Sequence, residues 1–349
     1  MKTSLATPLA PFTSLQVGGP AETLIECSNI EETMAALQDE ATKHPVTLLG
    51  FGSNCLISDK GLPGTVIVWH GGSMDEGGGI VIVDAGVWWD DLVKFAISKN
   101  LWGLELMSEI PSSVGGAIFG NIAAYGQQVS DTLLYVEVYD KVSMAVRRID
   151  ASDIQFSYRA SSLQSQPELI ILRAAFKLSP TKLHELRYAA AVSVAEELGS
   201  DIETLAGRRA AIIETRRRAG SLYHPNDGHG QRTAGSFFKN PMVSTEKATM
   251  LASFDESGKT LERINEQNRI HGGDSHRASA AHVLLAAGFS RGQTWNHVRL
   301  HPDHVLKVET LPEATAQEVY EVAQEIITTV KHKLDITIVP EVRFLGDFS

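Results

Sequence analysis

The stretch LLGFGSNCLISDKGLPGTVIV at 48–68 does most to restrict the fold. Short apolar runs, Val46–Leu49 and Thr65–Trp69, flank a loop that carries Gly50, Gly52 and Gly64. Glycine takes positive φ at no steric cost and lets bare amides face an anion. Ser53 and Asn54 add side-chain donors. No helical period follows, so this is not a dinucleotide fingerprint of the kind that opens a helix. The loop belongs between strands. Alone, it reads equally well as a tight β-loop that needs its glycines.

The surrounding pattern alternates between strand and helix. Residues 24–70 read as a β-α-β unit, with Ser28 and Glu31 at capping-box spacing for a helix to about residue 42. The stretch GGSMDEGGG at 71–79 reads as a linker, and IVIVDAGV at 80–87 as a strand. Asp90 and Asp91 open a helix with Leu92, Phe95, Ala96 and Ile97 on its apolar side. Residues 135–149 and 168–178 read as further strands. From about 182 the period is helical. In DIETLAGRRAAIIETRRRAG at 201–220, acids come early, arginines late, and Gly220 stands at C′. The cluster Arg208, Arg209, Arg216, Arg217 and Arg218 reads as a solvated helix end, with 221–234 as a loop. A last helix runs over about 315–333, with Thr315 and Glu318 as its capping box and Val319, Val322, Ile326 and Val330 as its apolar stripe. A final strand, Ile336–Val339, precedes PEVRF. The class expected is α+β.

A chain of 349 residues can bury more than one core, and 43% apolar with 21% charged residues is ordinary globular composition. A net charge of −11 argues against a general nucleic-acid or anionic-membrane binder. Cys27 and Cys55 cannot make a disulfide framework or a Cys-rich zinc site, which favours a reducing compartment. The N-terminal stretch lacks the apolar core of a signal peptide, and no apolar run approaches membrane-spanning length. A cytoplasmic protein is expected. His271, Asp274 and His276 lie in a glycine-rich setting without a fixed helix face, so no metal is expected there.

Further segments carry possible chemistry. EIPSSVGGAIFGNIAAYG at 109–126 offers Gly115 and Gly116 for close backbone approach, Asn121 for a polar edge, and Tyr125. FSYRAS at 156–161 holds Arg159, an always-charged donor fork. TAGSFFKNP at 233–241 sets the hydroxyl of Ser236 between Gly235 and an apolar wall, Phe237 and Phe238, followed by Lys239 and Asn240. PEVRFLG at 340–346 supplies Glu341 and Arg343. Each has a plainer reading: a glycine turn, a structural ion pair, a turn serine, a strand-end salt bridge.

Together these segments resemble the MurB family of UDP-N-acetylenolpyruvoylglucosamine reductases, from peptidoglycan synthesis. GxGSN with Asp59 and Gly64 looks like the first phosphate loop of the VAO/PCMH-type flavin fold. IPSSVGGA with Asn121 looks like the second flavin segment. The resemblance implies catalytic roles for Ser236, Arg159 and Glu341. It implies cofactor contacts at Gly50, Gly52, Ser53, Asn54, Gly115, Gly116, Asn121 and Arg343. Substrate contacts are implied at Tyr125, Tyr188, Arg216, Asn240 and His304, with Tyr188 matching the tyrosine of the type I subgroup. APFTSLQVGGPA at 10–21 and RASAAHVLLAAGFSRG at 277–292 extend the likeness. Ser112 and Ala123 replace usual glycines, which is tolerable where φ is negative. Ala219 replaces the lysine expected to contact the substrate diphosphate, and a neighbouring arginine is the expected substitute.

The fold implied is a two-subdomain VAO/PCMH-type FAD-binding region plus a separate α+β substrate-binding domain. The division expected is 1–72 with 336–349, then 73–218, then 219–335. The cofactor implied is non-covalent FAD, since no histidine stands in the pattern for covalent attachment. NADPH is the implied co-substrate and UDP-N-acetylglucosamine enolpyruvate the implied substrate, in a monomer that binds neither nucleic acid nor membrane. The alternatives are another PCMH-fold oxidoreductase and a non-catalytic nucleotide-sugar-binding relative.

Overall fold

The computed structural model of the protein describes residues 1–40, 45–222, 232–255, 258–271 and 275–349. Most of the 221–234 loop and Asp274 therefore lie outside the described residues, as does the side chain of His271. The chain packs as two compact units whose bounds do not follow chain order. The first comprises Met1–Pro8, Pro20–Ser53 and Leu62–Gln231; the second comprises Leu9–Gly19, Asn54–Gly61 and Arg232–Ser349. Both mix sheet and helix, as an α+β chain should.

The first unit holds a four-stranded sheet in the order Lys2–Pro8, Pro20–Cys27, Leu62–Trp69, Val46–Leu49. The outer pair of Lys2–Pro8 and Pro20–Cys27 is antiparallel, and the other pairings are parallel. The helix Ile30–Glu40 makes the expected β-α-β crossover. Its cap lies one residue later than Ser28–Glu31: Asn29 Oδ1 accepts from Glu32 N at 2.8 Å, and the Glu32 carboxylate accepts from Ser28 N at 2.9 Å.

A second, antiparallel sheet of the same unit runs Ala145–Asp150, Leu133–Asp140, Leu169–Lys177, Ile80–Asp84, Met74–Gly77. The stretch 71–79 is thus no linker. Met74–Gly77 is a strand, turned back at Gly78 and Gly79, which have φ of 63° and 83°. A turn with both central residues at positive φ matches the strand twist, and paired glycines adopt it freely. The large buried side chains of this unit include Trp69, Trp89, Tyr139 and Phe176.

The arginine-rich helix of the unit spans Leu205–Arg218. Thr204 caps it by accepting from Gly207 N at 3.0 Å, so Asp201 and Glu203 precede the helix rather than fill its first turn. Gly220 follows the C-cap at φ 58°, as expected. The cluster is not a solvated helix end as a whole. Only Arg217 and Arg218 are exposed; Arg208 is fully buried, and Arg209 lies against Asp90 and Glu109. Three to four residues separate neighbours on one helix face, so 208, 212 and 215 point inward while 217 and 218 point out.

The second unit holds an antiparallel sheet in the order Thr233–Ser236, His304–Thr310, Val298–His301, Thr294–Trp295. The helix Ala316–Leu334 buries Val319, Val322, Ile326 and Val330, the stripe read from the sequence. Both bonds of its capping box form: Glu318 N donates to Thr315 Oγ1 at 3.1 Å, and Thr315 N donates to Glu318 Oε2 at 3.0 Å. The Asp59 carboxylate accepts from Ala316 N at 2.9 Å and Gln317 N at 2.8 Å. Asp59 is therefore a second cap on this helix, where the carboxylate meets the positive end of the dipole. Ile336–Val339 is not a ladder strand. The strand is Arg343–Leu345, after PEV, paired in parallel with Cys55–Ile57.

Candidate functional site

In the first unit the two glycine segments are packed face to face. A Cβ on Gly50 would lie 2.6 Å from Ser113 Oγ, so any larger residue would displace that side chain. Ser53 Oγ donates to the Pro111 carbonyl, a second tie between the loops. Gly52 has φ 55°, the left-handed backbone that the turn requires. The Gly50 carbonyl meets His70 Nε2 at 3.0 Å, and Phe51 stacks on the His70 ring at 4.0 Å between centroids. Burial holds the His70 pKa below the usual imidazole value, so its ring is neutral at pH 7.

Gly115 and Gly116 open the short helix Val114–Gly120, capped by Ser113. Their amides are spent within the protein, Gly115 N on Ala85 O at 2.9 Å and Gly116 N on Ser113 Oγ at 3.0 Å. A Cβ on Gly115 would reach Ala85 Cβ at 3.0 Å. These glycines thus serve protein packing first. Asn121 also turns inward. Its Nδ2 donates to Ser157 O at 3.2 Å and its Oδ1 accepts from Ser130 N at 3.2 Å, so it fixes the hairpin that carries Arg159 instead of presenting both polar ends to a ligand. Ser112 and Ala123 are not among the positive-φ residues, which is why a serine and an alanine stand there without strain.

Tyr125 and Arg159 line one cleft of about 530 Å³, together with Gln127, Asp131 and His184. Both have left-handed backbone, φ 50° for Tyr125 and 55° for Arg159. Non-glycine residues in that region carry strain that packing must hold in place, a pattern common at working sites. Tyr188, 53% exposed, sets its ring edge-on to Tyr125 at 5.1 Å. Tyr125 also hydrogen-bonds Arg216; burial pushes the tyrosine pKa up, and burial pushes the Arg216 pKa down. Arg216 donates to Ser221 O at 2.8 Å, yet its buried Nε has no partner among the described residues. A buried guanidinium donor left unmatched is costly, and it suits a site that receives an anion. The residues expected to hold substrate in this unit, Tyr125, Tyr188 and Arg216, therefore form one cluster.

In the second unit the segments around Ser236 and Glu341 run side by side. Phe238 bridges Pro340, Lys239 N donates to Val339 O at 3.0 Å, and Glu341 N donates to Phe237 O at 2.8 Å. Phe237 and Phe238 are buried and anchor the pair. Gly235 has φ 76° with open space where a Cβ would go, so its glycine answers to backbone conformation alone. Ser236 is exposed, and its hydroxyl has no partner among the described residues. Asn54 joins this group: its Nδ2 donates to Glu341 O at 3.2 Å, and its carbonyl accepts from Arg343 N at 3.1 Å. Asn54 thus acts here as a clamp on PEVRF.

Asn240 Oδ1 accepts from Ala280 N at 2.8 Å at the start of the helix Ala280–Ala286, leaving its Nδ2 as the end able to donate to a ligand. His304 Nδ1 accepts from Leu306 N at 3.2 Å. Burial, then the nearby charges of Lys307 and Arg291, push the His304 pKa down to about 4. The neutral ring so held carries its proton on Nε2. Lys307, missed in the sequence, pairs directly with Ser236 in the ladder and is only 3% exposed. A charged residue interrupting the apolar run VLKV was the one signal for it. Among the described residues no group of histidine, cysteine and carboxylate side chains could hold a metal ion, and no helix is long and apolar enough to cross a membrane.

The comparisons with known proteins agree with this layout. Residues 21–147 match the family model described as "FAD binding domain", and residues 226–345 match the C-terminal domain of UDP-N-acetylenolpyruvoylglucosamine reductase. The facing glycine segments fit an FAD site, because a long dinucleotide needs two adjacent stretches of backbone that it can approach closely. The reductase of Thermobifida fusca is 32% identical to this chain, over 99% of each. That of Streptomyces coelicolor is 32% identical over 96% of this chain and 88% of its own. The crystal structure of MurB from Thermus caldophilus superposes with a TM-score of 0.66 at 26% identity, covering 99% of this chain and 98% of that one. Near-complete coverage by relatives of this kind, with both family domains in order along the chain, places it in the UDP-N-acetylenolpyruvoylglucosamine reductase family.

Proposed function

We propose that the protein reduces UDP-N-acetylglucosamine enolpyruvate to UDP-N-acetylmuramate for peptidoglycan precursor synthesis, using NADPH and non-covalent FAD. The backbone hydrogen bond from Glu341 N to Phe237 O supports this reading, because it sets the segment that carries Ser236 alongside PEVRF.

Bound FAD supplies the two-electron relay between NADPH and the enolpyruvyl methylene carbon. Gly50, Gly52 and Ser53 would hold its phosphates, and Arg343 would contact it. Ser236 then gives its proton to the carbon next to the new C–H bond, and water restores that proton. A serine hydroxyl is far too weak an acid for this in water, so it works only against a strongly basic, enolate-like carbon directly adjacent. Arg159 bears on the substrate carboxylate with a fixed, always-charged fork. Glu341 completes the catalytic trio. Tyr125, Tyr188 and Arg216 bind the nucleotide-sugar diphosphate region, and Asn240 and His304 contribute donors. The three-part division into 1–72 with 336–349, 73–218 and 219–335 belongs to the same proposal, as do a monomeric state and a cytoplasmic location.

The test is spectroscopic. Purified protein should be yellow, release its flavin on acid or heat precipitation, bleach with NADPH, and recover colour on adding the enolpyruvyl sugar. A protein that takes up FAD but is not reoxidised by that sugar would be another PCMH-fold oxidoreductase, and one that takes up no FAD would be a binding relative.

A further inference from the structure

Lys307 is a buried lysine that none of the roles above uses. It lies on the strand His304–Thr310, and its Cα partner on the neighbouring strand is Ser236. Phe237 N donates to Leu306 O at 2.8 Å and locks that register. Directly paired residues of an antiparallel ladder project to the same face, with Cβ atoms about 4.5–5.5 Å apart. The pair therefore has an exposed hydroxyl at one end and a covered cation at the other: Ser236 is exposed, and Lys307 is 3% exposed. Lysine is rarely covered to this degree unless it is paired. The same charge depresses the pKa of His304 and of His301, so it is felt across this face of the sheet. The other charged groups acting on those rings are Arg291, Arg299, Asp303 and Glu309.

We propose that Lys307 is a positioning residue for proton transfer, its ammonium on the same face of the sheet as the Ser236 hydroxyl and stabilising the oxyanion left when that proton passes to substrate. The inference rests on the reading of Ser236 as the proton donor. In the step, the Oγ–H bond of Ser236 breaks and a C–H bond forms on the substrate carbon. The electron pair left on Oγ is held by the ammonium until water returns a proton. Lys307 itself keeps all its protons.

The first test needs no turnover. In Ser236→Cys, alkylation by iodoacetamide across pH reads the ionisation of the new thiol. Cys27 and Cys55 are buried with their thiols pushed up, Cys55 to about 12, so the background is low. Beside the Lys307 charge the thiol should titrate at least about one pH unit below the free-thiol value of about 8.5. Adding Lys307→Met should return it to that value or above. A Ser236→Cys thiol that titrates at or above the free value overturns the proposal even if the double variant does not fold.

The second test separates the half-reactions. Lys307→Met should leave flavin reduction by NADPH unchanged and slow reoxidation by the enolpyruvyl sugar about 10–100-fold, at the lower end of positioned acid–base effects. Lys307→Arg should recover part of that loss. A raised KM for the sugar with kcat unchanged would make Lys307 a substrate anchor and overturn the proposal, as would equal slowing of both half-reactions. If the wild-type flavin is not reoxidised by the sugar at all, the functional reading falls and takes this inference with it.

Discussion

Glu341 gives its backbone N–H to the carbonyl of Phe237 at 2.8 Å, one residue beyond Ser236. Segments about a hundred positions apart in sequence thereby run side by side.

Replacing Ser236 with alanine should split the catalytic cycle. Reduction of the flavin by NADPH needs no proton from the protein and should run at close to its normal rate. Reoxidation by the enolpyruvyl sugar should slow by about 10²–10⁴. Ser236→Cys should recover part of the loss, because a thiol is also protic. Stopped-flow absorbance of the separate half-reactions decides it. If Ser236→Ala slows only flavin reduction, or slows neither half, Ser236 is a turn residue.

Ala219 is the C-cap of the Leu205–Arg218 helix at φ −83°, a conformation open to any side chain. Ala219→Lys should therefore fold normally, helped by a cation at the helix C-terminus. The KM for the UDP-sugar should fall while kcat stays nearly constant, because the contact is remote from the reacting carbons. An unchanged KM would mean that Arg216 or another arginine already fills the role.

Arg208 donates to Ile202 O at 2.7 Å, to His184 O at 2.6 Å and to Glu105 Oε1 at 3.1 Å, and both side chains of the ion pair are fully buried. Arg208→Ala leaves the Glu105 carboxylate buried without its cation. Urea denaturation should show a loss of about 3–5 kcal/mol. A loss below about 1 kcal/mol would show that water or a rotated side chain compensates.

His304 is held with its pKa at about 4, below the ordinary value of 6.5. The folded state thus binds the ring proton less readily than the unfolded chain does. Its contribution to stability is complete above about pH 6.5 and is lost as pH falls toward 4. Between those limits the wild type should lose of order 2 kcal/mol more than His304→Gln. Melting temperatures of the two proteins across pH 4–7 provide the comparison, and parallel curves would show that the ring is not held neutral.

What could be read from the sequence was whatever a local pattern encodes. The stripe Val319, Val322, Ile326, Val330 and the Thr315–Glu318 box gave a helix and its start, because both depend on neighbours within a turn or two. The roles proposed for Ser236, Glu341 and Arg159 rest on the motifs around them. Partners far away in sequence were not legible. GGSMDEGGG looks like a linker until Ile80–Asp84 is available to pair with it. Asp59 looks like part of an anion loop until the helix it caps is in place. The inward arginines, Arg208 and Arg209, differ from Arg217 and Arg218 only in which helix face meets the core. Lys307 gains its meaning from a strand register that no short motif specifies.

The parallel pairing of Cys55–Ile57 with Arg343–Leu345 sets the order of synthesis against the order of assembly. During translation the Cys55–Ile57 strand leaves the ribosome long before its ladder partner is made, and Asp59 waits equally long for the helix it caps. The second unit cannot close until residues 343–345 have emerged. A nascent chain stalled before position 343 would leave backbone N–H and C=O groups of Cys55–Ile57 without their ladder partner, open to any unpaired strand nearby. Shortening or tagging the chain at that end is therefore a change to its folding schedule as much as to its surface.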